Sequence, residues 1–292
     1  MKVYLDTVRE VLERGTRREN RTGVDTLSSF NINYEIELAL GFPLLTTKAI
    51  SWKNIVVENL WFLSGVPDIG LLRKHGCKFW DPWADESGRV PSAYGNFWRH
   101  FPVHENGQAA FNDQIAWVVS EVKRNPMSRR LLVTAWAPAN AQRSGLPPCH
   151  ALFALNVQNG RDGVPRLNLH LTQRSCDIAL GIPYNIAGYS LLLELFSHFS
   201  GIRPGIFAHT LIDAHVYTAK PDGSMAEYDH VPGLREQLKR EPRLLPRLTI
   251  SPNLGSLDDI EALLSEDTET LLSHFRLEGY DPHPAIPFKV AV

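Results

Sequence analysis

Cysteine is scarce in this chain: Cys77, Cys149 and Cys176 are the only thiols among 292 residues. Three widely spaced cysteines build neither a disulfide framework nor the paired ligands of structural zinc, so a reducing cytoplasmic setting and no metal are expected. Long apolar runs are missing as well. The most apolar stretch is interrupted by Glu194 and His198, and nothing approaches the ~20 residues that a membrane span requires. The first residues, Met1 to Asp6, lack the apolar core of a signal peptide. Neither sign of charge is in excess: 30 basic against 32 acidic side chains leave a formal charge of -2. No bulk basicity points to DNA or RNA as a partner. Repeats, low-complexity blocks and linkers are absent too, so residues 1–292 read as a single domain, long enough to hide roughly three-quarters of its unfolded surface.

Against these absences one stretch stands out, Leu146 to Leu193. Pro147 and Pro148 fix two φ angles ahead of Cys149 and hold its approach stiffly. From Arg166 onward Leu167, Leu169 and Leu171 alternate with Asn168, His170 and Thr172, the pattern of a half-buried strand. Gln173, Arg174, Ser175 and Asp177 gather at its end, a rim fit for a ligand. Arg174, with a permanent charge and a rigid fork of donors, is the neighbour that would draw a Cys149 thiol below its usual pKa of about 8.5.

Elsewhere the reading is plainer. Tyr4 to Glu13 has helical spacing, and polar residues around Arg21 form a loop into a strand between Leu27 and Leu38. GFPLLTTK, ending at Lys48, reads as a strand; Ser51 then caps a helix closed by Gly65. Within that helix Glu58 lies among apolar neighbours, so it is either on the wet face or partly buried with a raised pKa. Phe79, Trp80 and Trp83 offer either a core corner or a stacking wall for a flat ring. Leu131–Trp136 reads as a strand behind Arg129 and Arg130, and Ile186–Ser200 as an apolar helix. His215 and Tyr217 share one strand face, and 218–233 reads as a surface excursion.

The segments LPPCH, QRSCD, LGIPYNIAGY and DAHVY resemble the thymidylate synthase family, folate-dependent enzymes that methylate dUMP. The resemblance runs from Asn20-Arg21-Thr22-Gly23 to Val290-Ala291-Val292. It implies an α/β fold of the α+β type: a single domain whose mixed, twisted sheet is flanked by helices and packs back to back in a homodimer. It makes Cys149 the nucleophile for C6 of the pyrimidine. Glu58, Tyr94, Arg174, Asn185 and Asp177 complete the catalytic group, with Glu58 organising proton transfer at the pyrimidine carbonyl and Tyr94 implicated in C5 proton removal. Arg21, Arg174 and Ser175 match dUMP-binding positions, with Arg21 on the phosphate; Arg129 and Arg130 reach the partner subunit's site. His215 and Tyr217 match the binders of the sugar 3′-hydroxyl. An amide at Asn185 meets O4 and N3–H of uracil together, a pattern that cytosine reverses. The implied cosubstrate, 5,10-methylenetetrahydrofolate, gives a methylene and then a hydride and leaves as dihydrofolate. Lys48, Trp80, Trp83, Asp177, Leu180, Gly181, Tyr184 and Val292 match its side of the site, and the apolar tail is expected to close over it.

Four rivals are weaker. Adjacent strand residues face opposite ways, which argues against Cys149 and His150 as a hydrolase pair. A Cys149, His150, Cys176 metal site lacks ligand spacing. A non-catalytic RNA-binding relative lacks a basic aromatic surface. A nucleotide hydroxymethylase, in which water replaces hydride, stays open through the altered Pro91-Ser92 before Tyr94.

Overall fold

The computed structural model describes residues 1–141 and 146–291. It is a mixed α/β domain built on one mixed sheet. The strands in chain order are β1 (Thr16–Arg18), β2 (Asp25–Glu37), β3 (Phe101–Glu105), β4 (Gln108–Asn112), β5 (Leu132–Thr134) and β6 (His150–Asn159). They continue as β7 (Pro165–Gln173), β8 (Cys176–Asp177), β9 (Arg203–Thr218), β10 (Arg247–Ile250) and β11 (Phe275–Glu278). The main sheet runs β1-β2-β9-β7-β6-β5, with β8 also beside β9. β9 is parallel to β7 and β8, and the other pairs are antiparallel. β3 with β4, and β10 with β11, form separate two-stranded pairs.

Alternation decides which face of the sheet is covered. Leu167, Leu169 and Leu171 of β7 are buried beside Phe207 and Leu211 of β9 and Phe153, Leu155 and Val157 of β6. Against this face lies the helix Gly181–Ser200, in which Ile186, Leu191, Leu193 and Leu195 are fully buried. A helix apolar on nearly every side belongs inside. Each such side chain contributes roughly 1.5–3 kcal/mol by leaving water. Gly201 stops it in the left-handed conformation, φ 72°.

The N-terminal helix spans Lys2–Arg14, and Ser51 accepts the Asn54 N–H to open Trp52–Ser64, with Gly65 at φ 70° closing it. Three readings from the sequence need correction. GFPLLTTK forms no strand and bends at 46–48, because Pro43 has no N–H, Leu44 N–H turns back to the Phe42 carbonyl at 2.7 Å, and Phe42 N–H goes to Pro246 O at 2.8 Å. The strand expected over Leu131–Trp136 keeps only Leu132–Thr134 in its ladder with β6. The apolar helix begins at Gly181 rather than Ile186, because Asp177 Oδ1 accepts the N–H groups of Ala179 and Leu180, both at 2.9 Å, and shapes the turn before it.

Excursion 218–233 is only partly a surface feature. Its far end is tied down: buried His230 bonds the Lys289 carbonyl through Nε2 at 2.9 Å, and its N–H reaches Tyr217 O at 3.0 Å.

Candidate active site

Antiparallel pairing of β6 with β7 sets His150 opposite Gln173, while parallel pairing of β8 with β9 sets Asp177 beside His215. The start of β6, the ends of β7 and β9, and the first turns of the helix Gly181–Ser200 therefore converge. They line one cavity of about 980 Å³. Its walls include Cys149, Glu58, Tyr94, Arg174, Asn185, Asp177, Arg21, Ser175, His215 and Tyr217. Trp80, Trp83, Leu180, Gly181, Tyr184, Val290 and Ala291 line it as well.

Arg174 anchors the thiol loop. Its Nε donates to Pro148 O at 2.9 Å and its Nη2 to Pro147 O at 2.6 Å, with the Cys149 sulfur 3.7 Å from Nη2. The Arg174 N–H donates across from the end of β7 to Cys149 O at 2.8 Å. The paired prolines thus present two rigid carbonyls to one guanidinium. The expected fall in the thiol's pKa is overturned, however. Burial pushes Cys149 above the ordinary thiol range, and Arg174, Tyr94, Arg21 and Ser175 pull it only part of the way back. Desolvation opposes charge more strongly than the nearby cations favour it.

Glu58 takes the second of its two expected positions, within the cavity rather than on a wet face. Burial raises its pKa to about 7, against the opposing pull of a 2.7 Å bond from Trp80 Nε1 to Oε1. Tyr94 stacks on His150 with centroids 4.3 Å apart and lies edge-on to Trp80 at 5.5 Å. Its neighbour Gly95 explains SAYG: a Cβ there would fall 2.1 Å from the Phe62 carbonyl oxygen, so only glycine lets the two helices approach. Burial lifts the Tyr94 hydroxyl well above the usual phenol range, so it stays protonated at neutral pH.

Asn185 Oδ1 accepts from Gln173 Nε2 at 3.1 Å. His215 and Tyr217 meet edge-on at 5.5 Å on one face of β9, as their spacing implied. Tyr184 lies edge-on to Phe79 at 4.9 Å, and its hydroxyl accepts the Ser51 N–H at 3.3 Å, which ties the cavity wall to the start of the helix Trp52–Ser64. Arg21 is held out by an Asx turn, in which Asn20 Oδ1 accepts the Thr22 N–H at 2.8 Å. Gly188 is explained by Asn59: a Cβ there would come within 2.9 Å of the amide that bonds Ile55 O.

Lys48 is placed elsewhere. Its ammonium is buried, donates to Ala179 O at 2.6 Å and lies 4.6 Å over the Phe288 ring, so it lines no part of the cavity. Burial lowers its pKa to about 8. Arg129 and Arg130 are exposed just before β5, also away from the cavity. Val292 lies outside the described residues. His150, unexpectedly, shares the cavity with Cys149, because Cys149 precedes the strand and a register shift follows His150. The ring stays neutral, its pKa lowered by burial to about 3. Gln173, read as part of the rim, and Phe79, read as part of an aromatic wall, line the cavity as well, and Asn54 joins them unforeseen. Gln173 shares the parity of the buried leucines before it, which turns it inward, whereas Asn54 carried no such signal. Among the described residues no cluster of His, Cys, Asp or Glu is arranged to hold a metal ion.

A thiol beside a guanidinium, a near-neutral carboxyl, an amide and a wall of aromatic rings make the furnishing of an enzyme site for a flat heterocycle. The sequence model of the family described as thymidylate synthase matches residues 2–292, and the chain belongs to that family. The family consists of methyltransferase-type enzymes that use dUMP and methylenetetrahydrofolate.

Proposed function

We propose that this protein is a thymidylate synthase in activity, converting dUMP to dTMP. The observation that carries the reading is the gathering of Cys149, Arg174, Glu58, Tyr94 and Asn185 around one cavity that also has an aromatic side. The Cys149 S–H gives up its proton as the sulfur adds to C6 of the uracil ring; the C5–C6 π pair moves to C5 and O4, where the proton is taken up, and the C–S bond breaks again to release dTMP. Asn185 steadies O4 with an amide N–H and accepts N3–H. Glu58, near-neutral in its buried position, holds and moves a proton at the O4 side. Tyr94, with its hydroxyl protonated, assists loss of the C5 proton through a bound water. Arg21 and Arg174 pair with the phosphate, and Ser175 adds a hydroxyl. His215 and Tyr217 receive the sugar 3′-hydroxyl.

The residues on the far side fit a folate. Trp80, Trp83 and Tyr184 offer ring faces, Leu180 and Gly181 leave a flat apolar floor, and Asp177 offers a carboxylate to ring nitrogens. Methylenetetrahydrofolate, when bound, supplies the methylene and the hydride. The tail at Val290 and Ala291 closes the mouth and excludes water, which hydride transfer demands. Residues 1–292 act as one catalytic domain in the cytoplasm.

A homodimer, with Arg129 and Arg130 crossing to the partner's phosphate, is supported by the outer face of the sheet. Leu132 of β5 and Ile212 of β9 remain exposed there among the described residues.

The deciding assay supplies dUMP and methylenetetrahydrofolate to purified protein and follows dihydrofolate and nucleotide mass. Dihydrofolate formed one-for-one with dTMP is the expected result. Hydroxymethyl-dUMP without dihydrofolate would transfer the chain to the hydroxymethylases.

A further inference from the structure

A line of buried polar side chains crosses the sheet behind Asn185, and none of its outer members touches the cavity. Tyr34 of β2 pairs directly with His209 of β9, and its hydroxyl lies 2.7 Å from His209 Nδ1. His209 Nε2 lies 3.1 Å from Gln173 Oε1 at the end of β7. Gln173 Nε2 lies 3.0 Å from the Ser175 carbonyl and 3.1 Å from Asn185 Oδ1. Tyr34, His209 and Gln173 are all buried, His209 at 1% exposure.

One atom reveals the polarity of the whole line, and each hydrogen bond along it helps to hold that polarity. The Ser175 carbonyl is only an acceptor, so the Gln173 atom facing it must be the NH₂. Gln173 therefore turns its oxygen to His209, and His209 must carry its proton on Nε2. Burial keeps that imidazole neutral, so its Nδ1 is left as an acceptor and takes the Tyr34 hydroxyl proton. The second Gln173 N–H then reaches Asn185, which must present Oδ1 to it. With the oxygen pinned there, the Asn185 NH₂ points the other way.

We infer that Tyr34 and His209 are positioning residues that lock the Asn185 amide in its uracil-reading orientation and so exclude dCMP. The flipped amide would offer an acceptor to the exocyclic amine of cytosine and a donor to its unprotonated N3, a complementary fit. It would also set NH₂ against the NH₂ of Gln173. Selection for uracil is thereby partly a property of strands β2 and β9, remote from the base. The inference rests on the proposed role of Asn185, and its test separates the two.

Equilibrium binding of dUMP and of dCMP is measured on the full chain and on Tyr34→Phe, His209→Phe and Asn185→Asp, with the thermal midpoint of each. Loss of the line should lower the ratio of the dCMP to the dUMP dissociation constant about threefold in Tyr34→Phe and about tenfold in His209→Phe, from the loss of one and then two buried hydrogen bonds. A fall in both affinities by the same factor, with the ratio unchanged, would mean that the line only packs the core and would overturn the inference. Should His209→Phe fail to fold, Tyr34→Phe, which deletes one hydroxyl, decides alone. An Asn185→Asp protein with an unchanged ratio would overturn base reading by Asn185 itself. A shifted ratio there, beside unchanged ratios in the other two variants, would overturn only the role of Tyr34 and His209.

Discussion

At Cys149 two forces oppose each other, and the sequence showed only one of them. Arg174 beside the thiol was legible from QRSCD, but the depth of the cavity was not, and depth decides the sign. Alkylation of Cys149 should therefore accelerate with pH and level off above the range of a free thiol; Arg174→Gln should move that plateau higher still. Peptide mapping distinguishes it from Cys77 and Cys176, which are buried. Cys149→Ala should abolish turnover while dUMP binding survives, read by calorimetry beside the activity assay. Glu58 gives the opposite lesson. Its carboxyl binds a proton more tightly in the folded state, about 7 against 4.5. The stability linked to that proton is complete below about pH 4.5 and is lost as pH rises to about 7. Glu58→Gln should thus raise the thermal midpoint at pH 8, worth roughly 1–3 kcal/mol, and change little at pH 4. Its kcat should fall roughly 100-fold or more, the usual scale for a lost general acid or base.

Among the elements, the helix Gly181–Ser200 carries the most consequence, because it both fills the core and delivers Asn185 and Tyr184 to the cavity. Leu193→Ala, at a fully buried position, should cost roughly 2–5 kcal/mol in denaturant unfolding. The C-terminal tail depends on contacts with the excursion 218–233. Gly233 leaves room for the Phe288 ring, whose nearest atom would lie 2.6 Å from an added Cβ, and His230 holds the Lys289 carbonyl. Gly233→Ala should displace the ring and loosen the tail. The expected signature is faster proteolysis after residue 280 and a KM for folate raised several-fold, with dUMP affinity little changed. Equal loss of both affinities would mean that the site, not the tail, had been disturbed. Little of this coupling was legible, since a loop rich in Gly and Pro looks alike whether it stands in solvent or grips another segment.

For the whole molecule, the homodimer reading makes each site a joint product of two chains. An Arg129→Ala, Arg130→Ala protein and a Cys149→Ala protein should each be inactive. Mixed and refolded together, they should regain up to about a quarter of native activity, because one of the two sites in each hybrid keeps its own thiol and receives intact arginines. No recovery, with dimers demonstrated by sedimentation, would remove Arg129 and Arg130 from the partner's site. Fold class and most of the cavity were legible because local patterns report them: alternation in β7, the cap at Ser51, the glycine stops and the ordered family segments.

By itself, then, the sequence determined the family, the guanidinium that stands beside the thiol, the alternation that buries one face of β7 and the apolar helix that follows it. Periodicity and turn chemistry act over a few residues, so a linear reading captures them. Only the tertiary structure decided that Lys48 turns inward, that His150 joins Cys149 in the cavity, that burial outweighs Arg174 at the thiol, and that Tyr34 and His209 stand behind Asn185. Each of these depends on groups far apart in the chain, brought together by strand order and register. Desolvation and hydrogen-bond polarity are properties of that assembled surrounding, and no single segment contains them.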